Sequence, residues 1–361
     1  MDSAGGRYGN PQGAIDLLRV WALPWEDTRR NRCGATLLPD PEGPMADREL
    51  PAPWVADSTQ PNSGPARAPR LGLAFGGGLP FGAAAIGVID TLEAHGIRID
   101  CLAGTSMGSI IGMLYAYGYT PRELEGQFEN FFKMKRLLPV LFRDLRLTRS
   151  GFVDGSHLLG HLRGLVPETT TFEDLRIPFA VPAADLLTGQ EVVFRSGQVL
   201  PAIRASISMP GIFIPVEYDG TYLVDGAVIS PIPVHLLEDL GADVKIPMRA
   251  VRQRPQDVKQ RIVAIHEARR KRLPRRGPPD VLRLMWRSLS LILQDQFAEL
   301  LLDQYDIYIK PEIPFDYASS PDKVREIIDI GRREAEKHVA EIQAALCTAA
   351  AARSPKKPES G

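Results

Sequence analysis

Short apolar runs alternate with segments of helical periodicity along the chain from Leu71 onward. The runs Leu71–Phe75 and Ile97–Ala103 are typical of buried strands, and turns lead from them into helical patterns at Ala83–Ala94 and Met107–Tyr117. Further strands are predicted at Phe179–Asp185, Glu191–Phe194, Tyr222–Val224, Val244–Pro247 and Asp306–Lys310. Further helices are predicted after Thr120 and at Ser156–Leu165, Val199–Ser206, Val234–Leu240, Val281–Leu302 and Asp322–Leu346. This alternation predicts an α/β fold, in which helices cover both faces of a mainly parallel sheet.

Proline and glycine are concentrated ahead of this alternating region. The chain has 31 prolines and 32 glycines among 361 residues, and residues 1–70 hold much of that excess. A segment of this composition buries too little apolar surface to offset its conformational entropy. We therefore expect residues 1–70 to form a mostly disordered leader, 71–350 the folded domain, and 351–361 a disordered polar tail.

Charge and cysteine content narrow the class of protein. With 43 basic and 44 acidic residues the net charge is −1, which argues against a dedicated nucleic-acid-binding protein. Cys33, Cys101 and Cys347 are isolated, as in proteins of a reducing compartment. Met1–Gly13 has no signal-peptide pattern, and no apolar run reaches the ~18 residues that a membrane helix needs. We expect a cytoplasmic protein whose membrane contact is peripheral.

The segment Gly104-Thr105-Ser106-Met107-Gly108 has the pattern G-x-S-x-G between a predicted strand and a predicted helix. In that context a sharp turn exposes the serine hydroxyl, and glycines on both sides remove Cβ atoms that would clash in the bend. The free N–H groups at the start of the helix favour a developing negative charge. The alternative is an ordinary helix start with Ser106 as the N-cap.

Two further turns bear on this motif. Gly76, Gly77 and Gly78 follow the first predicted strand, and consecutive glycines allow backbone N–H groups to approach an oxyanion closely. The alternative, a nucleotide-binding loop, lacks its Lys-Ser/Thr pair. Asp225 ends another predicted strand and precedes Gly226, which predicts either a carboxylate directed at a neighbouring group or a simple Asp-Gly turn.

Together these residues resemble the patatin-like phospholipases. The resemblance runs from about Leu71 to the C-terminal helix and includes LGLAFGGG, the G-x-S-x-G segment, FAVPAADLLTGQEVVF and SMPGIFIPVEYDGTYLVDGAVISPIPV. It implies a three-layer α/β/α fold and a serine lipid acyl hydrolase that acts through an acyl-enzyme. On that pattern Ser106 is the nucleophile and Asp225 the general base. Gly76, Gly77 and Gly78 form the oxyanion hole, and Gly104, Gly108 and Gly226 shape the elbow and the turn.

This chain departs from the family pattern in the glycine turn. The family usually has Gly-x-(Arg/Lys)-Gly where this chain reads Leu79-Pro80-Phe81-Gly82. A bulky residue replaces a glycine, a proline restricts the backbone, and a positive charge is missing. The departure leaves open a second hypothesis, a catalytically impaired member of the family that binds lipid.

A third hypothesis is a serine esterase with a Ser-His-Asp triad. His266 and His338 lie downstream as candidate bases, although their charged helical segments are typical of exposed faces. His157 and His161 are four residues apart but lack the carboxylate partner of a metal site, so no metal and no other cofactor is predicted.

The segment Arg249–Arg287 is strongly basic and leads into an apolar helical pattern. A solvated loop is one interpretation, and a surface for anionic membrane lipids is the other. The second predicts vesicle binding that rises with anionic lipid and falls with salt. The sequence does not specify an oligomeric state.

Overall fold

The computed structural model describes residues 68–78, 80–133, 154–252, 305–314, 317 and 323–353. Its strands are β1 (Leu71–Phe75), β2 (Cys101–Gly104), β3 (Phe179–Asp185), β4 (Glu191–Phe194), β5 (Val216–Tyr218), β6 (Thr221–Asp225), β7 (Val244–Met248), β8 (Val251–Arg252) and β9 (Glu312–Ile313). Its helices are α1 (Ala84–Ala94), α2 (Met107–Tyr117), α3 (Pro121–Lys133), α4 (Ser156–Leu165), α5 (Val199–Ser206), α6 (Leu236–Asp239), α7 (Val324–Glu336) and α8 (Val339–Arg353). Short 3₁₀ turns cover Phe81–Ala83, Phe172–Asp174 and Gly226–Val228.

The main sheet is seven-stranded, in the order β5-β6-β3-β2-β1-β7, with β4 also paired to β3. Strands β7, β1, β2 and β3 are mutually parallel, whereas β4, β5 and β6 pair antiparallel. The predicted α/β class is confirmed, but the sheet is mixed, and its parallel part is confined to those four strands. For the β3–β4 and β5–β6 pairs the physical reason is the short connection, because a short loop joins only antiparallel neighbours.

The β5–β6 connection shows this directly, and sequence patterning missed β5. Asp219 and Gly220 both have positive φ, 47° and 77°, and link Tyr218 to Thr221. A two-residue loop with positive φ at both positions matches the twist of a β-hairpin. The Asp-Gly pair was therefore the local signal for a hairpin at this position.

Helices pack on both faces of the sheet. On one face Ala74 and Cys101 belong to a buried cluster with Leu237 of α6. Successive residues of a strand point to opposite faces, so Phe75 faces the other side. There α2 approaches so closely that a Cβ at Gly108 would lie 2.4 Å from the Phe75 carbonyl oxygen. The layers α/β/α of the predicted architecture are thus present around the parallel strands.

Most predicted elements agree with the structure, and the differences are local. The predicted helix Asp322–Leu346 is divided into α7 and α8 at 337–338, and the predicted strand Asp306–Lys310 is reduced to one bridge between Ile309 and Met248. Helix α8 continues to Arg353, three residues into the predicted tail. The predicted leader up to residue 67, the helix Val281–Leu302, most of the basic segment and the tail beyond 353 lie outside the described residues. Of the helices described, none is both long and apolar enough to cross a membrane.

Candidate active site

Ser106 lies in the strained turn between β2 and α2. Its φ of 55° and ψ of −122° belong to a region that residues with a side chain rarely adopt. Such a conformation costs on the order of 1–3 kcal/mol and persists only where surrounding contacts impose it. The Ser106 N–H donates to the Ser206 hydroxyl at 3.2 Å, and the Ser109 hydroxyl donates to the Ser106 carbonyl at 2.6 Å. Hydrogen bonds to both the N–H and the carbonyl of Ser106 therefore stabilise the turn.

The glycines on either side of Ser106 have no room for a side chain. A Cβ at Gly104 would lie 2.4 Å from the Gly108 carbonyl oxygen, and Gly108 itself packs on β1. Contacts of that length with backbone atoms cannot be relieved by a side-chain rotation. The bend of the elbow and the close approach of α2 to the sheet therefore both depend on glycine at these two positions.

Asp225 is placed at the end of β6, where it is buried. Its side chain is 2% exposed, and its N–H donates to the Ser208 carbonyl at 2.9 Å. The Asp225 Oδ1 accepts the Ala227 N–H at 2.9 Å, and Gly226 packs against the Pro182 carbonyl oxygen, 2.3 Å from where a Cβ would be. Gly226 therefore allows the tight turn that directs the carboxylate inward.

The register of the sheet brings Ser106 and Asp225 together. Ala103 of β2 pairs with Ala180 of β3, and Ala183 of β3 pairs with Asp225. Ser106 lies three residues beyond Ala103, and Ala183 lies three residues beyond Ala180, so both side chains reach the same level of the sheet. Strand β3 is the common neighbour that aligns them.

The pKa of Asp225 reports the environment that results. Burial raises it from 3.8 to about 6, although the Ala227 N–H and the Ser106 hydroxyl each lower it. The hydroxyl is thus close enough to interact with the carboxylate, while Oδ2 has no partner in hydrogen-bond geometry among the described residues. In unliganded sites catalytic hydrogen bonds are often long or misaligned. A buried carboxylate oxygen without a partner is left beside the serine.

The glycine turn lies against the other side of Ser106. A Cβ at Gly77 would be 2.9 Å from the Ser106 Cβ, and Gly78 has a φ of 121°. In the described part of the chain no acceptor receives the N–H groups of Gly77 and Gly78. The Gly76 N–H, in contrast, donates to the Met248 carbonyl at 3.0 Å. Gly76 therefore does not have the free donor expected of it, because its N–H continues the ladder between β1 and β7.

Of the two residues that depart from the family pattern in the glycine turn, Phe81 is described by the structure and Leu79 is not. Phe81 is 8% exposed and belongs to the 3₁₀ turn before α1, and Gly82 packs on Met107. The aromatic ring that stands in place of a cation is thus part of the core.

The histidines weighed in the sequence make other contacts. His338 bonds to Glu341 at 3.0 Å, and the His161 ring stacks on Phe131 with centroids 5.5 Å apart. No hydrogen bond joins a histidine to Ser106 or Asp225 among the residues described, and His266 lies outside them. The same described residues contain no group of three His, Cys, Asp or Glu side chains placed to hold a metal ion.

Sequence patterning missed Ser206, whose hydroxyl accepts the Ser106 N–H, and Thr105, whose hydroxyl donates to the Ser230 carbonyl at 2.8 Å. Both side chains are fully buried. A buried serine at the end of an otherwise apolar helical pattern was the only local signal for Ser206.

Comparison with known proteins bears on the family that the sequence resembles. Residues 73–238 match the model of the patatin-like phospholipase family, so the resemblance predicted from the sequence is confirmed over that segment. An uncharacterised NTE family protein of Mycobacterium bovis is 35% identical over 179 residues, which are 49% of this chain and 48% of that one. A lysophospholipase NTE1 of Meyerozyma guilliermondii is 30% identical over 174 residues, 48% of this chain and 12% of that one.

The chain thus spans about half the length, or less, of these curated relatives. Among solved structures, human GIVD cytosolic phospholipase A2 aligns with 79% of this chain and 59% of its own, at a TM-score of 0.42 and 15% identity. VipD from Legionella pneumophila aligns with 77% of this chain and 67% of its own, at a TM-score of 0.40 and 13% identity.

Proposed function

We propose that the protein hydrolyses carboxylic esters of lipids, with Ser106 as the nucleophile and Asp225 as the general base. The observation that carries the proposal is the unpaired, buried Oδ2 of Asp225 beside a serine held in a strained strand-to-helix turn. A serine hydroxyl attacks an ester only when a base accepts its proton. A carboxylate whose pKa is raised to about 6 is a better base near neutral pH than one of ordinary pKa.

The reaction would proceed in two steps, formation of an acyl-enzyme and its hydrolysis. Ser106 Oγ bonds to the ester carbon while its proton passes to Asp225, and the collapsing intermediate expels the alcohol, which takes that proton. Water then attacks the acyl-enzyme, gives its proton to Asp225, and releases the fatty acid as the proton returns to Ser106 Oγ. In each step the N–H groups of Gly77 and Gly78 would stabilise the oxyanion.

The substrate class rests on the family. The matched family model is that of patatin-like phospholipases, and a relative bears the name lysophospholipase. We therefore propose that the substrate is a lipid ester. We also propose that the protein is cytoplasmic and reaches this substrate through peripheral contact with a membrane. Neither a nucleic acid nor a cofactor enters this proposal.

The test is acyl release by the purified chain from a panel of phospholipids, lysophospholipids, glycerides and p-nitrophenyl esters of increasing chain length. Because Asp225 must be ionised to act as a base, kcat/KM is expected to rise with pH, have its midpoint near 6, and level off above it. A rate that is independent of pH between about 5 and 8 would contradict a base with this pKa.

A second candidate function is lipid binding without turnover, and Phe81 favours it. The residue at that position carries no charge and is buried, so it supplies no stabilisation to an oxyanion. The panel separates the two candidates. Lipid binding with no acyl release from any ester, and no labelling by a fluorophosphonate, would establish the second function in place of the first.

The proposed oxyanion turn has a direct test in Gly77→Ala. The added Cβ would lie 2.9 Å from the Ser106 Cβ, so the turn or the serine must move. We expect kcat to fall by about 100-fold or more, the usual effect of losing a donor or misplacing a reacting group. Gly126→Ala is the matched control, because Gly126 is an exposed glycine of α3 whose added Cβ would meet nothing within 4 Å. Equal kcat values for the two variants would exclude Gly77 from the site.

A further inference from the structure

The last turn of α5 contacts the polypeptide on both sides of the proposed catalytic pair. Ser206, its final residue, accepts the N–H of Ser106. Arg204, two residues earlier, donates to the hydroxyl of Ser208, whose carbonyl accepts the N–H of Asp225. The end of one helix thus connects the strained elbow to the strand that carries the carboxylate.

The contact to the elbow is buried and specific. Ser206 has no exposed surface, and its hydroxyl lies 3.2 Å from the Ser106 nitrogen. Among the described residues this N–H donates to no backbone carbonyl. An unpaired buried N–H is unfavourable, so the Ser206 hydroxyl stabilises this conformation of Ser106.

The contact to the carboxylate strand depends on a buried arginine. Arg204 is 9% exposed, and its guanidinium donates to the carbonyls of Asp154 at 2.7 Å and Ile214 at 3.0 Å as well as to Ser208. It also lies over the Phe213 ring, 5.4 Å from the centroid. Because a planar guanidinium has five donors in fixed directions, it orders several chain segments at once in a way that an ammonium group cannot.

Ser208 transmits this order to Asp225. Its hydroxyl donates to the Arg204 carbonyl at 2.6 Å, so it is bonded to Arg204 in both directions. Its backbone carbonyl receives the Asp225 N–H at 2.9 Å. A shift of Ser208 would therefore move β6 at the residue that carries the proposed base and expose to solvent a carboxylate that is buried.

We propose that the last turn of α5 sets the separation of Ser106 and Asp225, with Ser206 and Arg204 as positioning residues that do not touch the substrate. This inference rests on the proposed function, because it concerns the geometry of that pair. Substitutions of Ser206 and Arg204 are therefore expected to have different effects on catalysis. Ser206 positions the nucleophile, whereas Arg204 positions the base and keeps it buried.

The experiment compares Ser206→Ala, Arg204→Met and Arg204→Lys with wild type in kcat/KM against pH, using a short-chain p-nitrophenyl ester. Each positioning variant is expected to lose about 10- to 100-fold in kcat at pH 8, as misplaced reacting groups do. Ser206→Ala should keep the wild-type pH midpoint. Arg204→Met should shift the midpoint below 6, toward an ordinary carboxyl value, because water reaches Asp225. Arg204→Lys should recover only part of the rate.

Matched controls are Arg163→Met and Ser196→Ala. Arg163 is an exposed arginine of α4 paired with Glu168, and Ser196 is an exposed serine. Both should retain wild-type kinetics. Thermal unfolding of every variant gives the folded fraction by which rates are normalised. If Arg204→Met does not fold, Arg204→Lys and Ser208→Ala are expected to show the same direction of pH shift.

The proposal is overturned if the normalised kcat of the Ser206 and Arg204 variants equals that of wild type. It is also overturned if the Arg204 variants lose rate with an unchanged pH midpoint, since that would be a general structural effect. Failure of the proposed function looks different. Hydrolysis that survives Ser106→Ala would show that the chemistry occurs elsewhere, whatever the α5 variants do.

Discussion

Replacing Ser106 by alanine is expected to abolish covalent labelling by a fluorophosphonate and to lower kcat/KM by at least about 10⁴-fold, as for other serine nucleophiles. The hydroxyl is the only group removed, and the elbow contacts of Ser106 are made by its backbone, so the fold should persist. Labelling detected by intact mass and hydrolysis of a p-nitrophenyl ester measure the two effects separately.

Two companion variants sharpen this experiment. Ser106→Gly should be as inactive as Ser106→Ala but more stable by about 1 kcal/mol, because glycine adopts a φ of 55° without strain. The exposed Ser196→Ala should label and turn over like wild type. Labelling that persists in Ser106→Ala would place the reactive serine elsewhere and refute the proposed nucleophile.

Asp225→Asn is expected to reduce kcat by about 10³- to 10⁴-fold, because the amide cannot accept the serine proton while its size is unchanged. Comparing this variant with glutamine replacements of His266 and His338 separates a dyad from a triad. If a histidine variant abolished turnover and Asp225→Asn retained it, the Ser-His-Asp hypothesis would replace the dyad.

Although Asp225→Asn should lower kcat, it should raise the free energy of unfolding above pH 6. The pKa of Asp225 is about 6 in the folded protein and about 3.9 in an unfolded chain, so the folded state binds more protons between these values. The stability that this carboxyl contributes is complete below about pH 4 and is lost as pH rises through 6. An asparagine side chain does not ionise, so Asp225→Asn should gain on the order of 2–3 kcal/mol over wild type at pH 8.

The gain should vanish near pH 4, where both side chains are neutral. Thermal unfolding of wild type and variant at pH 4.5, 6 and 8 measures the difference directly. A variant that is less stable than wild type at pH 8 would show that burial does not penalise the carboxylate. A wild-type residue that is both unfavourable for stability and required for turnover is what a functional site predicts.

Local rules are broken at two residues of this site. Ser106 has an unfavourable φ, and Asp225 is a buried carboxylate with an unpaired oxygen, yet the surrounding strands and helices follow their sequence patterns closely. Such costs persist where other contacts impose them and are typical of functional sites. At Ser106 those contacts include the hydroxyl of Ser206, and at Asp225 they include the carbonyl of Ser208, just after α5.

The sequence alone determined the local elements of this protein. Helix α2, strand β3 and helix α5 have the predicted bounds, because apolar periodicity, a glycine after Tyr117 and short apolar runs act over a few residues. The G-x-S-x-G turn could be recognised for the same reason, since its glycines are required by backbone contacts within the turn and the adjacent strand.

Tertiary structure alone decided how those elements meet. Pairing of β2 and β6 with β3 brings Asp225 to the level of Ser106, and pairing of β1 with β7 occupies the Gly76 N–H and leaves those of Gly77 and Gly78 without a described acceptor. The positions of Arg204 and Ser206 depend likewise on where α5 packs. Strand register and helix packing are interactions between distant segments, so the periodicity of a single segment carries no information about them.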